Sequence, residues 1–296
     1  MPFSKSDQSP VQKPFTVDNI RSMKVGRRQL KTEWPETLYP PSQPSENWKI
    51  ILPFANTYEN AFRSMCEIEF RAHPAKDGLL IIFLNGTGGD SEAPADAIEW
   101  VEKVGYPVAM KDFLAISFAL DYDRHGGNPQ EPQTEIGALR AQAKPYGDSA
   151  ATAQTNQAAD KLVEHCMKFL NNMGWDCIVA MPPSDPLKTY NLPRDLAKRI
   201  ANEWGREDLS KHVTGKARNS IKKVPLANKL DTLLGTINVA EGVFHDRKVL
   251  LLDDLYQSGV SINYCGNLLL QAGAMKIFGL ACEKTCRNDD NVGERI

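Results

Sequence analysis

The segment Lys248–Ser261, K-V-L-L-L-D-D-L-Y-Q-S-G-V-S, gives the strongest indication of how this chain folds. Its residues Val249–Leu252 form a short, unbroken apolar run, which is typical of a strand buried on both faces of a parallel sheet. Asp253 and Asp254 follow this run directly, and a small polar turn, Gln257–Ser261, comes next. Apolar residues at helical spacing then continue to a glycine. The pattern therefore predicts a strand, an acidic pair, a turn and a helix.

This order of elements suits a ribose 5-phosphate. A turn at a helix N-terminus directs several backbone N–H groups at one point, and that arrangement favours a phosphate. We expect that the glycine at position 259 leaves room for the anion, because a side chain there would crowd it. The carboxylates of Asp253 and Asp254 are placed to accept hydrogen bonds from vicinal hydroxyls, or to lie near a hydrated divalent cation.

The same segment resembles the phosphoribosyl-diphosphate (PRPP) signature of the type I phosphoribosyltransferases, in which four apolar, two acidic and two variable residues precede a phosphate loop. The resemblance implies that Asp253 and Asp254 hold the ribose hydroxyls, with Mg²⁺ bound near them indirectly, through water or those hydroxyls. It implies that the 5-phosphate is held by Gln257, Ser258, Gly259, Val260 and Ser261. The alternative is an ordinary buried strand that ends in a solvated acidic turn.

One position departs from this signature. Gln257 stands where Thr or Asp is usual. In the purine-salvage members an Asp at this position can act on the base, whereas a glutamine cannot take a proton. The departure disfavours purine salvage and leaves the phosphate loop itself unaffected.

A second motif, Pro182–Ala201, is P-P-S-D-P-L-K-T-Y-N-L-P-R-D-L-A-K-R-I-A. It is similar to the ComF-like branch of the same superfamily, which has a proline-rich strand end, a basic loop, an aromatic–Asn pair and a Leu-Ala-rich helix. Tyr190-Asn191 and Leu196-Ala197 occupy the last two places. The resemblance implies a diphosphate site made by Pro182, Pro183, Ser184 and the nearby cation Lys188. The alternative is a proline-rich connection without a ligand.

The segment Lys211–Asn228 is basic and has few apolar residues. In the family this position is a mobile loop that closes over the diphosphate. A cationic lid excludes water and stabilises charge that grows on a leaving group, and Lys216 and Arg218 are the candidate catalytic cations. The alternative is a solvated basic loop.

The resemblance covers residues 134 to about 285, so we predict three regions. Residues 134–296 form an α/β core with a mainly parallel sheet flanked by helices, of the type I phosphoribosyltransferase kind. Residues 48–133 form an α+β region that supplies the hood over the acceptor site. Within it, the glycine-rich turn at 85–90 is either a tight turn or a second anion site. The ComF-like branch often begins with a zinc ribbon, whereas Cys66 is the single cysteine before Cys166.

Residues 1–47 are predicted to form a polar, partly basic arm. Its basic residues are Lys24, Arg27, Arg28 and Lys31. The composition favours a mobile arm with a solvated helix over a docking segment, although a nucleic acid or protein partner could bind there.

The composition of the whole chain sets further bounds. Its 296 residues carry a net charge of −2, which gives no general argument for nucleic acid or membrane binding. Six cysteines without paired spacing indicate reduced thiols and a cytoplasmic protein. The longest apolar runs, Leu79–Leu84 and Phe113–Leu120, are too short to span a bilayer, so no membrane association is expected.

The functional expectation is a phosphoribosyltransferase that binds Mg²⁺–PRPP or a ribose 5-phosphate nucleotide and passes the phosphoribosyl group to an acceptor. Two other classes stay open. One is an effector of a bacterial defence or toxin–antitoxin system acting on nucleotides or nucleic acid, and the other is a non-catalytic regulator that senses nucleotides. A homodimer is also left open.

Overall fold

The structure is a computed structural model. It describes residues 12–23, 29–30, 38–43, 46–52, 56–75, 79–87, 92–145, 151–170, 173–218, 221 and 224–286. Within these ranges, no helix is both long enough and apolar enough to cross a membrane.

Helices and strands alternate along most of the chain. The helices are α1 (Val17–Arg21), α2 (Asn56–Met65), α3 (Ala95–Gly105), α4 (Glu135–Gln142), α5 (Ala153–Leu170), α6 (Leu192–Trp204), α7 (Leu226–Leu233) and α8 (Val260–Gln271). The first strands are β1 (Gln29–Leu30), β2 (Leu38–Tyr39), β3 (Lys49–Leu52), β4 (Phe70–Pro74), β5 (Leu80–Leu84), β6 (Val108–Met110) and β7 (Ile116–Tyr122). The later strands are β8 (Cys177–Ala180), β9 (Glu207–Asp208), β10 (Val213–Gly215), β11 (Ile237–Val239), β12 (Lys248–Tyr256) and β13 (Lys276–Lys284).

The central sheet has seven strands in the order β1-β6-β7-β13-β12-β8-β9. The neighbours from β7 to β9 are parallel, and β1 and β6 add antiparallel pairs at one edge. The predicted α/β fold with a mainly parallel core sheet is therefore confirmed.

Strand β12 is buried on both faces, as the apolar run predicts. Val249 and Leu251 belong to the hydrophobic cluster on one face, where α1, α7 and α8 pack. Leu250 and Leu252 belong to the cluster on the other face, beside α4, α5 and α6. None of the four side chains is more than 1% exposed. Burial on two sides removes apolar surface from water at every position, which explains the unbroken run.

The region before residue 134 contributes to two sheets. Strands β2, β3, β5 and β4 form an antiparallel sheet. Helix α2 packs against β6 and β7 on one side and, through the rings of Phe62 and Phe70, against β4 on the other. Strands β6 and β7, however, belong to the central sheet, where β7 pairs in parallel with β13. The central sheet thus takes strands from both sides of the predicted boundary at residue 134.

Residues 12–23 differ from the expected mobile arm. Phe15, Ile20 and Met23 are buried, and the ring of Phe15 stacks on that of Phe113 with centroids 5.5 Å apart. Helix α1 contacts α7 and α8. These apolar side chains dock the segment, because their burial offsets the loss of chain freedom. The predicted basic residues of the arm lie outside the described residues.

Part of the segment predicted as a basic lid is regular structure. Strand β10 pairs with β11 in an antiparallel ribbon, and α7 begins at Leu226. The predicted loop of Lys211–Asn228 is therefore too long. Between the end of β10 at Gly215 and the start of α7 at Leu226, the structure describes residues 216–218, 221, 224 and 225.

Candidate functional site

A cleft of about 310 Å³ lies at the carboxyl ends of the neighbouring strands β8 and β12. The strands are paired in parallel from Cys177 opposite Val249 to Ala180 opposite Leu252. Strand β8 ends there, whereas β12 continues to Tyr256 alongside β13. The continuation of one strand past its neighbour opens a space beside Asp253 and Asp254. Ligands of open α/β sheets bind at such carboxyl ends.

The cleft brings together all but two of the predicted site residues. Those that line it are Pro182, Pro183, Ser184, Lys188, Arg218, Asp253, Asp254, Gln257, Ser258, Gly259 and Ser261. Val260 does not line it, because its side chain is 1% exposed in the core and only its backbone opens helix α8. Lys216 does not line it either and is exposed. No described residue before Lys144 lines the cleft, so the described part of the region predicted as a hood contributes no wall to it.

The phosphate loop, Gln257–Ser261, leads into α8 without a side-chain cap. Gly259 is the N-cap residue of α8 and has no side chain that could accept a capping hydrogen bond. The carbonyl of Gly259 accepts from the amide and the side-chain nitrogen of Asn263, at 3.0 and 2.8 Å. The amide of Val260 donates to the hydroxyl of Ser258 at 3.5 Å. The amides of Ser261 and Ile262 have no partner among the described residues and lie at the cleft, where the helix dipole favours an anion.

The structure gives a reason for a glycine at position 259 in addition to the one expected. Its φ is +76°, a conformation that glycine adopts without strain. A Cβ at this position would lie 2.6 Å from Cζ of Tyr256 and closer still to its hydroxyl oxygen. A side chain at position 259 would therefore clash with the ring beneath the loop, and the crowding of an anion stays a prediction.

A buried carboxylate anchors that ring. Oδ2 of Asp112 accepts hydrogen bonds from the hydroxyl of Tyr256 at 3.1 Å, from Asn263 at 3.1 Å and from Ser117 at 2.9 Å. Its Oδ1 accepts from the amide of Leu114 at 3.0 Å. Burial raises the pKa of Asp112, and these four hydrogen bonds oppose the rise. Asp112 thus ties β12 and α8 together directly behind the phosphate loop.

The two carboxylates of the acidic pair have different surroundings. Oδ2 of Asp254 accepts from Arg140 at 3.1 Å and contacts the ammonium of Lys144. Arg140 also bridges to Glu283 on β13 at 2.9 Å. The side chain of Asp254 is 15% exposed, so this network is largely shielded from water. Both cations use Oδ2, which leaves Oδ1 of Asp254 for a ligand among the residues described.

Asp253 faces the cation Arg218 across the cleft. Burial lowers the pKa of Arg218, and the charge of Asp253 opposes that shift. Nε of Arg218 is buried without a hydrogen-bond partner in the described part of the chain. Its backbone amide donates to the carbonyl of Ser184 at 2.9 Å, which fixes the segment against the proline-rich turn. Arg218 is the predicted lid cation that the fold does bring to the cleft.

Sequence reasoning missed four residues of this site: Arg140, Lys144, Asp112 and Lys229. The first three are polar residues whose partners lie far away in the chain, so no local pattern indicates them. Lys229 did leave a signal. It falls among Leu226, Leu230 and Leu233 on the apolar face of α7, a position where a lysine is unusual.

The metal expectation can be compared with the donor groups present. The described residues contain no group of three or more His, Cys, Asp or Glu side chains able to hold a metal ion. Asp254 is already paired with two cations, which does not suit a direct metal ligand. Asp253 fits a hydrated Mg²⁺ whose other ligands come from a bound diphosphate.

All six cysteines are free thiols. Burial raises the pKa of Cys166, Cys177 and Cys265 to about 12 in each case. Thiols of this kind remain protonated and do not act as nucleophiles.

Comparison with known proteins adds no relative from which a role could be carried over. A scan against protein-family models finds no match, and a search of curated proteins finds none either. The inference of function therefore rests on the motifs and on the geometry of the cleft.

Proposed function

We propose that this chain is a phosphoribosyltransferase-like protein of the type I kind that binds Mg²⁺–PRPP or a ribose 5-phosphate nucleotide in the cleft. It transfers the phosphoribosyl group to a nucleophilic acceptor. The observation that carries the proposal is the convergence of two separate motifs. The proline-rich turn after β8 and the acidic pair and phosphate loop of β12 line one cleft. The two motifs are separate in the sequence and neither is needed for the local structure of the other, so their meeting in one cleft supports a shared ligand.

The dimensions and chemistry of the cleft support a ribose phosphate. A volume of about 310 Å³ is at the lower end of the range for small-molecule sites. The amides of Ser261 and Ile262 at the start of α8 suit the 5-phosphate, and Asp253 suits the ribose hydroxyls. Ser184 and Arg218, joined by a hydrogen bond of 2.9 Å, lie on the side where the diphosphate would be bound.

The proposed reaction breaks the bond between C1 of the ribose and an oxygen of the diphosphate. The electron pair of that bond leaves with the diphosphate, and a lone pair of the acceptor forms the new bond to C1 from the opposite face. The acceptor releases its proton to solvent. Arg218 would stabilise the negative charge that grows on the leaving group, while bound Mg²⁺ would supply further neutralisation there.

Titration calorimetry with PRPP and ribose 5-phosphate, followed by diphosphate release across a panel of bases and amines, tests the proposal. We expect both ligands to bind and one acceptor class to release diphosphate. Asp253→Asn should weaken both ligands, whereas Glu164→Gln, at an exposed carboxylate on α5, should not. If neither ligand binds the wild-type protein, the proposal is wrong.

One observation favours a second candidate, a non-catalytic nucleotide sensor. The charge of Asp254 is already neutralised by Arg140 and Lys144, so this carboxylate contributes less to the chemistry of a reacting sugar. A sensor would bind PRPP or a nucleotide and release no diphosphate with any acceptor. The same titration and acceptor panel therefore separate the two functions.

A further inference from the structure

The proline-rich turn after β8, Pro182–Ser184, lies unusually close to the last residue of β10. A Cβ on that residue, Gly215, would be 2.8 Å from the carbonyl oxygen of Pro183 and 3.4 Å from Cβ of Pro182. The first distance is shorter than van der Waals contact. The atom in the way belongs to the backbone, which cannot swing aside as the end of a flexible side chain can. Position 215 therefore has room for a glycine only while the turn keeps its place.

The conformation of the backbone does not explain this glycine. Gly215 is not among the glycines with a positive φ, and it pairs with Ile237 in the antiparallel ribbon of β10 and β11. A glycine in a strand lowers stability, because it has no side chain to pack and loses more chain freedom on folding. Strand glycines often mark a place where another backbone approaches closely. The contact with the proline-rich turn accounts for the glycine here.

The segment around β10 holds the proline-rich turn at both of its ends. Neither proline of the turn can donate a backbone hydrogen bond, because proline has no N–H. Just before the turn, the hydroxyl of Ser210 accepts from the amide of Ala180 at 2.8 Å. At the end of the turn, the carbonyl of Ser184 accepts from the amide of Arg218 at 2.9 Å. Gly215 lies between these two attachments in the chain.

The ribbon is itself anchored to the core of the protein. Val213 of β10 is buried, and β11 contacts α8. The amide of Lys216 donates to the carbonyl of Thr236 at 2.8 Å, which extends the ribbon one residue past β10. Arg218 follows two residues later, half-buried at the cleft. A cation that is in place before its ligand binds requires no reorganisation during the reaction.

We propose that Gly215 is a positioning residue that lets the β10–β11 ribbon pack on the proline-rich turn. The turn and Arg218 then form a diphosphate-binding edge that exists before the ligand arrives. This inference rests on the proposed function of the cleft and adds that Arg218 is held in place rather than carried in by a closing lid. A side chain at Gly215 would push the ribbon from the turn and separate Arg218 from Ser184. Asp253 and the phosphate loop would keep their places, because β12 is held by β8 and β13.

The first test measures two affinities separately by calorimetry. Inorganic diphosphate with Mg²⁺ is titrated into protein saturated with ribose 5-phosphate, and ribose 5-phosphate is titrated alone. Gly215→Ala should weaken diphosphate binding by about tenfold or more and leave ribose 5-phosphate binding within about twofold of the wild type. A purely structural role would lower the melting temperature without separating the two affinities.

Gly235→Ala is the matched control for the first test. Gly235, just before β11, has φ +69° and nothing within 4 Å of an added Cβ. The substitution therefore strains the backbone beside the same ribbon without pushing on the turn, and it should change neither affinity. An equal loss of diphosphate affinity in both variants would overturn the proposal. So would a diphosphate affinity of Gly215→Ala within about twofold of the wild type, and either result leaves the proposed function intact.

The second test uses the wild type and decides the matter if Gly215→Ala does not fold. In the ligand-free protein, the amide hydrogen of Arg218 should exchange with solvent more slowly than that of Ala217, which has no partner among the described residues. Protection of Arg218 that arises only when Mg²⁺ and diphosphate are added would indicate a closing lid and refute the proposal. A wild type that binds ribose 5-phosphate but no diphosphate would also refute it. A wild type that binds neither ligand would overturn the proposed function as well.

Discussion

The hydroxyl group of Tyr256 occupies the space that a side chain of Gly259 would need. A Cβ on Gly259 would lie 2.6 Å from Cζ of the tyrosine ring. The same hydroxyl donates to the buried carboxylate of Asp112 at 3.1 Å. The position of the phosphate loop is therefore set from below, by a ring that a buried acid holds in place.

Gly259→Ala is expected to destabilise the protein through two separate effects. The positive φ costs a residue with a side chain about 1–2 kcal/mol, and the clash with Tyr256 adds about 1–3 kcal/mol. Gly242→Ala is the matched control, since Gly242 has φ +72° and nothing within 4 Å of an added Cβ. Chemical denaturation should show a larger loss at position 259. In a Tyr256→Leu background the extra loss should shrink, whereas strict additivity would contradict the clash.

Asp253→Asn and Asp254→Asn should have different consequences. Asp253→Asn should weaken ribose 5-phosphate binding by about 1.5–3 kcal/mol, the value of a hydrogen bond to a charged group, with little change in stability. Asp254→Asn should lower the free energy of unfolding by about 1–3 kcal/mol, because Arg140 and Lys144 lose their shared partner. Calorimetric titration and urea denaturation of both variants measure the two effects. Equal losses of affinity with unchanged stability would show that Asp254 acts as a ligand-binding group only.

Arg218→Ala should lower the turnover of PRPP more than it raises KM. A cation that meets the leaving group mainly as charge develops stabilises the transition state more than the bound substrate. We expect kcat to fall by roughly 10²–10³-fold, as when one preorganised donor is removed from an anion site. Lys216→Ala should change kcat much less, because Lys216 does not line the cleft. A rise in KM alone would make Arg218 a substrate-binding residue instead.

The contribution of Asp112 to stability should depend on pH. Burial raises the pKa of Asp112 in the folded state above its ordinary value of 3.8. Between the ordinary pKa of 3.8 in the unfolded state and the raised pKa in the folded state, the folded state binds a proton that the unfolded state does not. The free energy of unfolding therefore increases as the pH falls through that window. The free energy of unfolding of the wild type, relative to Asp112→Asn, should therefore rise as the pH falls through the raised folded-state pKa and level off below 3.8. Urea denaturation across this range measures it, and a flat or falling difference would contradict the raised pKa.

The sequence by itself determined the elements around β12. The unbroken apolar run predicted a strand buried on both faces, and helical spacing after the turn predicted α8, which runs from Val260 to Gln271. Thr134 caps α4, where its hydroxyl accepts from the amide of Gly137. These features depend on residues within a few positions of one another. Local periodicity and capping are therefore sufficient to encode them.

Only the tertiary structure decided which side chains pair with the acidic residue Asp254. Arg140, the partner of Asp254, lies 114 residues away in the chain, and no local pattern links the two. Their meeting depends on the order β7-β13-β12, because α4 packs on β7 and β13 and Arg140 reaches from there to Glu283 and to Asp254 on the next strand. Strand order is set by the burial of many side chains together, and no short window of sequence contains that information.

The same reason explains Asp112 and Lys229. Asp112 precedes β7, which enters the central sheet beside β13, so that its carboxylate reaches the back of the phosphate loop. Lys229 reaches Gln257 because α7 packs against α8. The sequence determined the turn at Gln257–Ser261 and the helix after it, since both depend on residues close together in the chain. The structure decided which charges stand behind it, because those charges are brought there by packing between distant parts of the chain.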